Sequence, residues 1–135
     1  MADGIEEVEG IGPAYAEKLR AVGIRTTAAY LERAKDRKGR VALAEETGIS
    51  DALILKWANH CDLFRIKGVA GQMSELLEAA GVDTVKELAR RNAENLAAAM
   101  AATNEEKKLV RSVPSAKEVA GWIAQAKDLP PTMTY

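Results

Sequence analysis

Val8-Glu9-Gly10-Ile11-Gly12-Pro13-Ala14-Tyr15-Ala16-Glu17-Lys18-Leu19 returns later in the chain as Ile66-Lys67-Gly68-Val69-Ala70-Gly71-Gln72-Met73-Ser74-Glu75-Leu76-Leu77. Each copy runs on into a second glycine and a threonine, Gly23-Ile24-Arg25-Thr26 and Gly81-Val82-Asp83-Thr84, at one constant offset. Self-similarity at a fixed offset is the mark of a duplicated supersecondary unit. The unit is a glycine-pinched turn that opens a helix, a shape that also suits a phosphate.

The correspondence reaches further along the chain. Ser50 precedes Trp57 by the same separation as Ser115 precedes Trp122, and both stretches end on an Asp-Leu pair, Asp62-Leu63 and Asp128-Leu129. Between Thr84 and Ser115 the offset grows by about two helical turns. The duplication therefore covers residues 5–62 and 63–129. The tail, residues 130–135, opens on Pro130-Pro131 and cannot continue a helix; it either packs as an extended arm or frays.

Almost every segment reads as helix, because alanine, leucine, glutamate, lysine and arginine dominate and no period-two alternation occurs. Closely spaced glycines make the helices short, and the expected fold is all-α. Pro13 stands where a first helical turn tolerates a missing N–H, and Gly23 where a left-handed residue ends the helix. Thr26 or Thr27 caps a helix over 28–34; a short helix over 41–46 ends near Gly48. Ser50 caps a helix through Leu53, Ile54, Trp57 and Ala58. In the second half, helices are expected over 85–91 and 94–102, and another from Asn104 with Glu105 and Glu106 in its first turn. Ser115 caps a last helix with Val119, Trp122 and Ile123.

A chain of 135 residues can form one compact unit or two small halves. No apolar run approaches the ~20 residues that cross a bilayer, and the start lacks a basic, apolar leader pattern. The single cysteine, Cys61, cannot form an intrachain disulfide and fits a reducing cytoplasm. The formal net charge of -1 matters for function, since proteins that live on nucleic acid usually carry a basic surplus. Any positive surface must be local. The densest cluster is Arg33, Lys35, Arg37, Lys38 and Arg40, in what reads as a solvated inter-helix loop; Asp3, Glu6, Glu7 and Glu9 make the amino-terminal stretch acidic.

The Gly10-Ile11-Gly12-Pro13 turn lets the backbone bend sharply while Ile11 plugs into the core. The first N–H groups of the helix behind Pro13 have no intrahelical partner and, with the dipole, form an anion site. The pattern resembles the helix-hairpin-helix family at Val8, Gly10, Ile11, Gly12, Ala16 and Leu19. That resemblance implies backbone N–H contacts to DNA phosphates without base reading, in some members with a monovalent cation at the turn. A glycine hairpin is also simply a tight way to pack two short helices, and both readings stay open. The second copy departs from the pattern at Ala70, Gly71 and Ser74: if Ala70 needs a positive φ, its side chain obstructs a phosphate. This copy is expected to be structural, with Lys67, Arg65 and Gly68 still able to offer contacts.

The wider set of segments looks like a family of bacterial proteins known as a domain of unknown function, DUF4332. It comprises Gly23-Ile24-Arg25-Thr26-Thr27, Arg40 with Leu43-Ala44, Thr47-Gly48-Ile49-Ser50, Trp57-Ala58-Asn59, Asp62-Leu63-Phe64-Arg65-Ile66-Lys67-Gly68 and Leu77-Glu78-Ala79-Ala80-Gly81-Val82-Asp83-Thr84. The resemblance spans nearly the whole chain and implies a tandem helix-hairpin-helix fold, but no activity.

His60 and Cys61 are neighbours on one helix and point apart, so they make no nucleophile–base pair, and the two together fall short of a metal site. Trp57 and Trp122 read as core anchors; exposed, they would stack a base or a partner's apolar surface. The expectation is a non-catalytic module with no cofactor, no small-molecule substrate and no membrane role. It grips duplex DNA backbone through Gly10, Ile11, Gly12, Pro13 and Ala14, helped by Lys18, Arg20, Arg25 and the cluster from Arg33 to Arg40. The competing expectation is a protein-interaction scaffold that kept the fold without nucleic acid, bound to an unidentified protein.

Overall fold

Strong helix formers cut by frequent glycines give short helices, and a computed structural model of the protein, which describes residues 4–135, consists of them. Asp3 of the acidic stretch lies outside the described residues. Among the described residues there are eight α-helices and no strand, only one isolated backbone bridge between Gly4 and Thr26. No helix among them is long and apolar enough to cross a membrane. The chain divides into two compact units, Met1–Asp62 with Thr132–Tyr135, and Leu63–Pro131.

The first unit begins with a 3-10 turn, Ile5–Glu7, followed by α1 (Pro13–Ala21), α2 (Thr27–Ala34), α3 (Arg37–Thr47) and α4 (Asp51–Leu63). Gly23, at φ 87°, ends α1 in the left-handed conformation. Its N–H donates to the Arg20 carbonyl (3.0 Å), and that of Ile24 donates to Leu19 (2.9 Å). This pair of bonds is the Schellman closure, and the buried Ile24 and Leu19 add its apolar contact. Thr26, not Thr27, caps α2 by accepting from the Ala29 N–H at 3.0 Å. The core of the unit includes Ile5, Leu19, Tyr30, Leu43, Ile54 and Trp57.

The helix expected over 41–46 starts four residues earlier, because Asp36 is its N-cap and accepts from the Gly39 N–H at 2.7 Å. Residues 33–40 are therefore not a solvated loop; they are the end of α2 and the first turn of α3. Gly39 sits in that first turn for a steric reason. A Cβ there would overlap the backbone carbonyl of Arg33.

The second unit holds α5 (Gly71–Ala79), α6 (Val85–Leu88), α7 (Ala93–Lys107) and α8 (Ala116–Asp128). Gly81, at φ 98°, closes α5 with bonds of the same kind: its own N–H to Glu78 (3.0 Å) and that of Val82 to Leu77 (2.8 Å). Thr84 caps α6, which stops at Leu88, earlier than the expected 91. Where two helices were expected over 94–102 and from Asn104, one continuous α7 runs to Lys107. The alanine-rich run has no glycine or proline to stop it. Asn104 lies in its last turn and pairs with the Val110 backbone at both N–H and C=O, 2.9 Å each. Ser115 and Glu118 form a reciprocal capping box on α8. Leu76, Leu77, Leu88, Leu96, Val119 and Trp122 fill the core of the unit.

Candidate nucleic-acid interface

Val8 and Ile11 are buried on either side of Gly10, whose φ of 93° turns the chain between them. The Ile11 N–H closes the turn on the Val8 carbonyl at 3.1 Å. Gly12 is the N-cap of α1, extended at φ -82°, and Pro13 occupies the first turn. No side chain caps this helix start, and Gly12, Pro13 and Ala14 are exposed. The N–H groups of the first turn thus meet solvent, while buried Ala16 and Leu19 hold the helix from behind.

The corresponding turn of the second unit is pinned by Gly68, at φ 99°, and closed by the Val69 N–H on Ile66 at 3.2 Å. Ala70, the N-cap of α5, is extended at φ -123°, so its methyl imposes no backbone strain. The left-handed residue in each turn is the first glycine, and the second position accepts any side chain. What distinguishes this hairpin is its packing. Gly71 is buried, and Ser74, also buried, returns its hydroxyl to the Gly71 carbonyl at 2.8 Å. Gln125 of α8 holds both sides of Lys67, accepting from its N–H at 2.9 Å and donating to its carbonyl at 3.2 Å.

The two tryptophans lie behind these turns. Trp57 is 1% exposed and Trp122 6%, which removes the base-stacking alternative for both. Trp57 also meets Tyr15 of α1 edge to face, ring centroids 5.0 Å apart.

The cations expected at the interface divide sharply. Arg20 is ion-paired with Glu6 and Arg33 with Glu46. Lys35 pairs with Glu32 at 2.9 Å. Arg40 is buried, donating to the carbonyls of Ala34 (3.0 Å) and Thr134 (2.8 Å). Lys18, Arg25, Arg37 and Lys38 keep exposed side chains, as do the acids Glu7, Glu9 and Glu17. Lys67 and Gly68 belong to the second unit and are exposed there; Arg65 donates to the Pro130 carbonyl at 2.6 Å. Interleaved acids explain the division: Glu6, Glu32 and Glu46 sit one turn or one helix away from each captured cation.

Cys61 is buried on α4, and burial, reinforced by the charge of Asp62, pushes its thiol pKa well above the usual range. A protonated, enclosed thiol is a poor nucleophile. Tyr30 is likewise raised, by burial first and then by Cys61, against a smaller lowering by Arg40; its hydroxyl donates to the Ile54 carbonyl at 2.8 Å. Sequence reasoning missed Asp36, Gly39 and Gln125 as organising residues. Asp36 with Gly39 three positions on carried a capping signal, masked by the basic residues around it; Gln125 carried none.

A family model described as Domain of unknown function (DUF4332) matches residues 9–129. No curated protein and no solved structure matches the chain.

Proposed function

Because the chain belongs to the DUF4332 family, whose description assigns no activity, we propose a function from its own residues: a non-catalytic module that grips nucleic-acid backbone, duplex DNA first, without reading bases. We read the two units as a duplicated helix-hairpin-helix, residues 5–62 and 63–129, in a cytoplasmic protein. The reading rests on paired features: Gly10 with Gly68, Gly23 with Gly81, Thr26 with Thr84, and Trp57 with Trp122.

One observation carries the binding proposal. The α1 start is exposed at Gly12, Pro13 and Ala14, with no side-chain cap and a rigid turn behind it. Such a start presents oriented N–H donors to a phosphate oxygen. Lys18 and Arg25 supply the nearest charge in sequence, and Arg37 and Lys38 a second exposed pair. Arg20, Arg33, Lys35 and Arg40 are assigned to the protein's own structure. That same loss of free cations favours the second reading, a scaffold that binds protein through this fold.

A salt series of binding to random-sequence duplex decides between them. The parent is expected to lose affinity with a slope of about 0.9 logarithmic units per phosphate neutralised. Gly12→Asp places a carboxylate at the N-cap, where it fills the anion site from within, and Arg25→Ala removes a charge. No binding at low salt, or equal binding by parent and double variant, rejects the nucleic-acid reading and leaves the scaffold.

A further inference from the structure

Residues 132–135 form an extended arm on the first unit, settling the choice between packing and fraying. Thr134 is held by its main chain on both sides: its N–H donates to the Lys35 carbonyl at 2.8 Å, and its carbonyl accepts from Arg40 Nη2 at 2.8 Å. Tyr135 donates its hydroxyl to Asn59 Oδ1 at 2.9 Å, and the Arg40 guanidinium lies 5.6 Å from the centre of its ring.

The receiving side is built and the arm is not. Arg40, in the first turn of α3, is fixed by a bond to the Ala34 carbonyl that owes nothing to the arm, and Asn59 stands on α4. Tyr135, in contrast, is 64% exposed. The site reads two main-chain groups, one aromatic face and one phenol hydroxyl, features any extended segment with a tyrosine offers. Beside the ring a recess of about 260 Å³, bordered by Val41, Leu55 and Arg37, leaves room for a larger occupant. Main-chain bonds of this kind give affinity, and the side-chain contacts give selectivity.

We propose that this groove is a peptide-binding site for an extended segment carrying a tyrosine, and that residues 132–135 are its resident, displaceable occupant. The arm competes from within the chain, where a short tether gives an effective concentration in the millimolar range. A peptide from another polypeptide therefore binds the intact chain weakly, and tightly once the arm is weakened.

The test uses the full chain and a fluorescein-labelled peptide with the sequence of residues 127–135, followed by fluorescence anisotropy. Tyr135→Ala in the protein is expected to bind the peptide at least tenfold more tightly than the parent. Replacing the peptide's tyrosine by alanine abolishes that binding, and replacing it by phenylalanine weakens it several-fold through loss of the Asn59 bond. No gain on Tyr135→Ala, or equal affinity for the three peptides, overturns the proposal. The protein change is at an exposed side chain and the other changes are in the probe; matching circular dichroism of parent and Tyr135→Ala checks that the fold is kept.

Discussion

A Cβ placed on Gly68 would lie 2.9 Å from Nε1 of Trp122, closer than side-chain carbons approach a ring nitrogen. The indole of α8 is seated directly on the backbone of the turn that opens α5. In the first unit the same relationship is looser: a Cβ on Gly10 would meet Nε1 of Trp57 at 3.4 Å, an ordinary contact. Both glycines are also left-handed, so Gly68 is required twice, by φ and by the ring packed against it, and Gly10 by φ alone.

Gly68→Ala is therefore expected to destabilise more than Gly10→Ala. Both incur roughly 1–2 kcal/mol for an L-residue in the left-handed region. Only Gly68→Ala must also displace a buried indole, adding about 1–3 kcal/mol of overpacking. Denaturant melts of the two variants beside the parent give the order directly; the reverse order would contradict this packing.

The open N-caps give a prediction of the opposite sign. Ala70 caps α5 with backbone already in the extended conformation, so Ala70→Ser is expected to stabilise by about 1 kcal/mol. Gly12→Asp should gain a few tenths of a kcal/mol at α1. Thermal unfolding measures both. The point for function is that Gly12→Asp loses any anion site without losing the fold.

Gly39→Ala and Gly12→Ala form a matched pair. At Gly39 a methyl collides with the Arg33 carbonyl, whereas at Gly12 it meets open space. The first is expected to open the corner between α2 and α3 and to lower the unfolding midpoint strongly, a loss above ~3 kcal/mol being in the range of severe backbone or packing conflicts. The second should cost no more than about 1 kcal/mol, the difference between glycine and alanine at an N-cap. Circular dichroism melts separate them.

Cys61 and Tyr30 set the alkaline limit. Both groups hold their protons to higher pH when folded than the ordinary values of 9.0 and 10.0 allow in the unfolded chain. The folded state thus binds more protons above pH 9, and stability is complete below that value and falls as pH rises. Each group contributes a slope of up to about 1.4 kcal/mol per pH unit. Urea melts from pH 8 to 10.5 should show the decline, and Cys61→Ala with Tyr30→Phe should flatten it. Native Cys61 should resist thiol reagents at pH 8 and react fully in denaturant.

The helical class and the two glycine turns were legible because local chemistry decides them. At Gly23 and Gly81 the helices end through bonds that reach three and five positions back, and Thr26, Thr84 and Ser115 cap helices through bonds three positions forward. Errors of extent had equally local causes. Asp36 is hidden among cations, and Asn104 with its following acids reads as a helix start although nothing before it breaks the alanine-rich helix. The candidate site was legible only as a list of donors and charges.

Its selection was a tertiary matter. An all-α chain with paired glycine turns follows from neighbours along the chain, since backbone sterics and capping act over a few residues. Only the folded chain decided which cations remain free: it spent Arg20 on Glu6 and Arg33 on Glu46, and buried Arg40 beneath an arm from the far end of the chain. It also decided that Ala70 is unstrained and that the tryptophans face inward. Those outcomes depend on which side chains meet across helices, and Coulomb attraction and packing respond to distance in space, not to spacing along the chain.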